Sequence, residues 1–166
     1  MNSLVEWFTV NLSPYISEYG VIFIISLLPI LELRGGLLAA VLLKVPEIQA
    51  IPICIIGNIL PIPFILLFIR QIFKWMKKAN IFRGLIEKLE NRAMDKSDSI
   101  RKYEFWGLLL FVGIPLPGTG AWTGALIASL LEMDIKKSSL AILCGIALAT
   151  VIMYFVSYVL VGNIVH

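Results

Sequence analysis

Leu28-Pro29-Ile30-Leu31-Glu32-Leu33-Arg34-Gly35-Gly36 is the stretch whose reading decides the fold. It lies inside an apolar run, residues 21–43, long enough to cross a bilayer, which takes about 20 apolar residues. The centre of that run carries a proline, a carboxylate, a guanidinium and two glycines. Each ion costs about 2.5–3.5 kcal/mol at the middle of a spanning helix. A plain spanning helix is not built this way. A broken, re-entrant segment is expected, because non-helical backbone at membrane depth is tolerated only where it is buried in protein or lines a polar cavity. A second stretch has the same character: Pro115-Leu116-Pro117-Gly118-Thr119-Gly120-Ala121-Trp122-Thr123-Gly124. The two breaks are expected to face each other and to form the functional site.

The whole composition agrees with a membrane setting. The 166 residues are 59% hydrophobic and only 15% charged, where soluble domains run near 25% charged. One all-α integral membrane domain, residues 1–166, is expected. The first seventeen residues hold no Lys or Arg, so the positive region of a cleavable signal is not visible. Cys54 and Cys144 both lie in apolar runs, and both are expected as small buried hydrophobes.

In chain order, residues 1–19 suit an interfacial helix with Trp7, Phe8, Tyr15 and Tyr19 at the headgroup level. Residues 20–76 form a first unit: the broken hairpin 21–43, the polar turn Lys44-Val45-Pro46-Glu47, and a spanning helix 48–76 kinked by its prolines. Residues 77–103 are basic and amphipathic. Residues 104–162 form a second unit: a hairpin 105–131, a polar turn through Lys136-Lys137, and a spanning helix 138–161 with Ser138 or Ser139 as its cap. Shifting the chain by 88 residues without a gap aligns Phe23 with Phe111, Pro29 with Pro117, Gly36 with Gly124 and Gly57 with Gly145. The pattern reads as an internal repeat.

Charge orients the repeat. Residues 70–102 hold ten of the fourteen Lys and Arg, and Lys136-Lys137 add two more. The positive-inside rule assigns both clusters to the cytoplasm. That is consistent only if each hairpin enters and leaves by one face, while the helices 48–76 and 138–161 cross fully. The expected fold is therefore an inverted repeat of two re-entrant hairpins, each followed by a transmembrane helix, in a multi-pass protein of the cell membrane. Acidic residues interleave the basic loop, so an anionic leaflet, not nucleic acid, is its expected partner.

Among candidate residues, Glu32 and Arg34 lead, since intramembrane ions are functional by default. Glu32 is a candidate for a proton-linked or cation-binding carboxylate, and Arg34 for gripping a phosphate or carboxylate. The alternative is an ion pair that merely holds the break in shape. Pro117, Gly118, Thr119 and Gly120 are the second candidate: the glycines free backbone amides, and a helix starting near Thr119 or Thr123 would aim its N-terminus at an anion. Gly35 and Gly36 are candidates for the same task in the first half. Trp122 is a candidate to stack on substrate, and Asn58 to hydrogen-bond the opposing hairpin. No Ser-His-Asp set, metal cluster or nucleotide loop is present, so no enzyme, metal or cofactor is expected. Two fully crossing segments leave a monomer little interior, so a homodimer is expected.

The two quoted motifs resemble the small multi-drug export proteins of bacteria and archaea, over roughly residues 21–161. That family is in turn similar to the DedA membrane proteins. This second resemblance implies two re-entrant hairpins, each followed by a membrane helix, together with proton-coupled transport or movement of polyprenyl-phosphate lipids. Glu32 matches the acidic residue of the first hairpin, and Pro117-Gly118 match a Pro-Gly in the second. The arginines that flank that Pro-Gly in the DedA pattern are Ile114 and Gly120 here, which leaves Arg34 to hold a phosphate. The readings are thus a small transporter of an amphipathic substrate, a DedA-like lipid translocase or scramblase, and a non-transporting membrane scaffold.

Overall fold

Prolines and polar turns cut this apolar chain into short helices. The computed structural model describes residues 2–78 and 98–161, with the single positions Gly84, Glu87 and Asn91 between them. The helices are α1 (Asn2–Leu12), α2 (Glu18–Leu27), α3 (Glu32–Leu42), α4 (Glu47–Ile59), α5 (Ile62–Lys78), α6 (Asp98–Gly113), α7 (Ala121–Leu130) and α8 (Ile135–Tyr154). A π-helical segment, Phe155–Val161, continues α8. Among the described residues there is no strand. The amphipathic segment expected over residues 77–103 lies largely outside them.

Local chemistry sets the boundaries. Ser17 caps α2, its hydroxyl accepting from the Gly20 amide at 3.3 Å. Leu28 is extended, with ψ 135°, as the residue before a proline is driven to be, and α2 ends there. The long helix expected over 48–76 is two helices, with a break at Leu60-Pro61. The cap of α8 is Asp134, whose carboxylate accepts from the Lys137 amide at 2.9 Å. This corrects the assignment of Ser138 or Ser139, because the helix starts earlier and Ser138 is buried inside it.

Two helix ends are built alike. After α3, Lys44 has φ 56°, the Val45 amide donates to the Ala40 carbonyl and the Lys44 amide to Val41. After α7, Glu132 has φ 58°, Met133 donates to Ala128 and Glu132 to Ser129. Both are Schellman caps, and they lie 88 positions apart. Gly57 and Gly145, also 88 apart, sit where a Cβ would come within 2.9 Å of the Phe23 carbonyl oxygen and 2.8 Å of Leu109, respectively. Small residues at such crossings let helices pack where lipid supplies no hydrophobic drive. The ungapped shift does not hold in the first helix of each hairpin. There the contacts match Phe23 with Leu109, not Phe111, because the second tip, residues 114–120, is longer than the first, residues 28–31.

The stretches Glu47–Ile69 and Ile135–Val159 are long and apolar enough to cross a membrane, at 23 and 25 residues. Their ends pair head to tail. The Tyr158 hydroxyl donates to the Val45 carbonyl at 3.0 Å, just before α4, while Ile135 lines a cavity with Leu66 and Gln71 of α5. The main core draws on both halves, through Ile22, Leu37 and Cys54 on one side and Leu108, Val112 and Ile146 on the other. A smaller core joins Val5 of α1 to Val21, Ile25 and Leu31. Phe64, Phe68, Trp75, Leu140 and Val151 point outward. Cys144 is with them: it is exposed, not buried as expected, since an apolar residue suits a lipid-facing surface as well as a core.

Candidate functional site

Glu32 opens α3 at φ 51°, a region that costs a residue with a Cβ about 1–2 kcal/mol. Its amide closes the turn on the Leu28 carbonyl at 2.9 Å. The side chain, 5% exposed, reaches the second tip. One carboxylate oxygen accepts from the Ala121 amide at 3.0 Å and the other from Trp122 at 3.1 Å. These are the first two amides of α7, whose own N-cap is Gly120 and offers no side chain. Glu32 therefore caps a helix in the other half of the chain.

Arg34 does the converse. Its Nη1 donates to the Leu116 carbonyl at 2.7 Å, and its Nη2 donates to Thr119 Oγ1 at 3.0 Å and to the Ile114 carbonyl at 3.4 Å. α6 ends at Gly113, so these carbonyls lie just beyond a helix C-terminus. Carboxylate at an N-terminus and guanidinium beside a C-terminus both match the helix dipoles. The two ions bond to the opposite hairpin and not to each other.

The second tip is shaped for this. Leu116-Pro117-Gly118-Thr119 is closed by the Thr119 amide on Leu116 at 3.2 Å, with proline second and Gly118 at φ 76°, the pattern of a type II turn. The Thr119 hydroxyl lies 2.9 Å from the Ile114 and Leu116 carbonyls. Gly120 has φ 138°, and a Cβ there would overlap the Glu32 carboxylate. Trp122 Nε1 donates to the Leu27 carbonyl at 3.2 Å, a further tie between the tips. The same indole borders an apolar groove of about 510 Å³ lined by Leu28, Pro29, Leu60, Phe64 and Ile69.

Glu32, Arg34, Thr119, Gly120 and Trp122 thus meet at one junction. Pro117 and Gly118 are exposed at its edge. Thr123 is half-buried in the first turn of α7 and makes none of these bonds. Gly35 and Gly36 lie inside α3, not at its open end: the Gly35 amide donates to the Leu31 carbonyl, and Gly36 packs on Ser26 and Cys54. Asn58 is buried, but its Oδ1 has no partner among the described residues, so the bond expected to the opposing hairpin is not made. The sequence reading missed the main-chain partners, the amides of Ala121 and Trp122 and the carbonyls of Ile114, Leu116 and Leu27. Backbone groups leave no residue-type signal.

Two helical stretches long and apolar enough to cross a membrane, and the apolar side chains that point outward, suit a helical membrane protein. The chain belongs to the family described as "Putative small multi-drug export protein", whose model matches residues 32–152. The match opens on Glu32, just after the first tip, and takes in the whole of the second. No curated protein and no solved structure matches the chain.

Proposed function

We propose that the chain is a small membrane exporter that moves an amphipathic substrate past a midplane junction between two re-entrant hairpins arranged as an inverted repeat. The observation that carries this reading is the buried carboxylate of Glu32 held by two amides of the opposite hairpin. The head-to-tail pairing of the two long helices supports the inversion, with hairpin bases at opposite ends and tips meeting between them. In this scheme the hairpins part and rejoin as the cavity opens to alternate faces. Neutralising Glu32 by a proton or a cation removes the charge that the α7 N-terminus attracts, and so couples an ion to release. Arg34 resets the closed junction by recapturing the carbonyls.

A lipid translocase of the DedA kind is the second reading. The groove beside Trp122 favours it, since that groove would lay a hydrocarbon chain along α5 with its polar head at the junction. Purified protein in proteoliposomes distinguishes the readings. Efflux of a lipophilic cation, lost at least tenfold in Glu32→Gln with folding retained, supports export. Transbilayer movement of a labelled polyprenyl phosphate, lost in Arg34→Gln, supports translocation. Full folding with neither activity in wild type leaves a scaffold.

A further inference from the structure

Trp122 faces two ways. Its amide donates to Glu32, while its indole borders the apolar groove of about 510 Å³ and donates to the Leu27 carbonyl at 3.2 Å. Leu27 lines the same groove, so this hydrogen bond lies on the groove wall. Every residue that lines the groove is apolar, and Trp122 supplies its one side-chain N–H. Leu60, Phe64 and Ile72 among them are exposed, so in a bilayer the groove opens to lipid. From Phe64 to Ile72 it follows α5 for about 12 Å, most of one leaflet of a hydrocarbon core about 30 Å thick. A trough of that length and lining suits an extended hydrocarbon chain better than a compact solute. Trp122 and Arg34 are 88 positions apart, each in the first turn of the second helix of its hairpin. Each side chain donates to carbonyls where the first helix of the opposite hairpin ends, Trp122 to Leu27 and Arg34 to Ile114 and Leu116. Arg34 makes three bonds and carries a full charge, whereas the indole makes one and carries none. Charge-assisted hydrogen bonds are about twice as strong as neutral ones. The weaker of the two equivalent ties is the one on the groove.

We infer that the groove is a lateral entrance for the alkyl chain of the transported amphiphile, and that the bond from Trp122 to Leu27 is its gate. The inference rests on the export reading. The chain enters from the bilayer and lies along Phe64, Ile69 and Ile72, with its polar head against the indole. When the indole leaves Leu27, the head reaches Glu32, while the bonds of Arg34 keep the hairpins together. A closed gate weakens binding, because the apparent dissociation constant is the intrinsic one divided by the fraction of molecules that are open. Loosening the gate therefore raises the apparent affinity without any new contact.

With Trp7, Trp75 and Trp106 replaced by phenylalanine, Trp122 is the one indole of the chain. In phosphatidylcholine vesicles, dodecyltrimethylammonium brominated along its chain should quench the emission of that indole saturably. Ile69→Phe and Leu60→Phe, which narrow the groove from a half-buried and an exposed position, should each cut the quenching at least threefold. In proteoliposomes with the other tryptophans in place, the same two substitutions should slow efflux of dodecyltrimethylammonium at least fivefold. Trp122→Phe keeps the ring and loses the N–H, so efflux should half-saturate at a concentration at least threefold lower. Thermal melts of each variant separate a blocked groove from lost folding. Quenching that does not saturate, or that survives both groove substitutions, overturns the entrance while efflux by wild type leaves the export reading standing. Quenching by brominated phosphatidylcholine that the cation does not relieve identifies a resident bilayer lipid and overturns it too. Unchanged or weaker half-saturation in Trp122→Phe overturns the gate. Saturable quenching in a folded wild type that moves nothing overturns the export reading and, with it, the entrance.

Discussion

At Gly120 two demands coincide: a backbone conformation that a side chain rarely adopts, and a carboxylate where the Cβ would be. Gly118, two residues earlier, also has a positive φ, 76°, and is exposed. Gly120→Ala should therefore cost about 2–5 kcal/mol, the sum of backbone strain and overpacking. Gly118→Ala should cost about 1–2 kcal/mol. Denaturant unfolding in detergent reads both, and equal costs would mean that the Glu32 contact contributes nothing. The sequence pointed to Glu32 and Arg34 because ions are rare in apolar runs, and the structure brings both to one junction. It could not reveal their partners, because Ala121, Leu116 and Ile114 act through main-chain atoms that every residue shares. It also suggested open helix ends waiting for an anion, whereas the α7 end is filled by Glu32 from the other half.

Element by element, the boundaries legible in the sequence were those written in proline and polar turns: the stop before Pro29 and the turns near residues 44 and 132. The split of the helix at Leu60-Pro61, where only a kink was expected, and the Asp134 cap were not. The caps after α3 and α7 and the glycines at 57 and 145 keep the 88-residue spacing, while the contacts in α2 and α6 do not, since apolar residues there are interchangeable and tip length has no composition signature. The two Schellman caps use Lys44 and Glu132 where glycine is ordinarily favoured. Lys44→Gly should stabilise the protein by about 1 kcal/mol, by removing a left-handed residue that bears a Cβ. A shift of the unfolding midpoint to higher denaturant is the expected sign, and a loss of stability would show that the Lys44 side chain holds the turn by some other contact.

For the whole molecule, the test belongs to topology. With Cys54 and Cys144 replaced by alanine, Lys44→Cys and Lys137→Cys mark the bases of the two hairpins. Under the proposed inversion, a membrane-impermeant maleimide labels the first from outside the cell and the second only from the cytoplasm. Labelling of both from one face would dismantle the inverted repeat. The same arrangement bears on biosynthesis. The hydrogen bonds of Glu32 and Arg34 reach across 80 to 90 residues. A ribosome adding about 5–20 residues per second needs on the order of ten seconds to deliver Trp122 after Arg34 has emerged. Throughout that interval the first hairpin carries two ions whose partners do not yet exist, so it must wait in water or in the insertion machinery, and its entry into lipid is timed by the second.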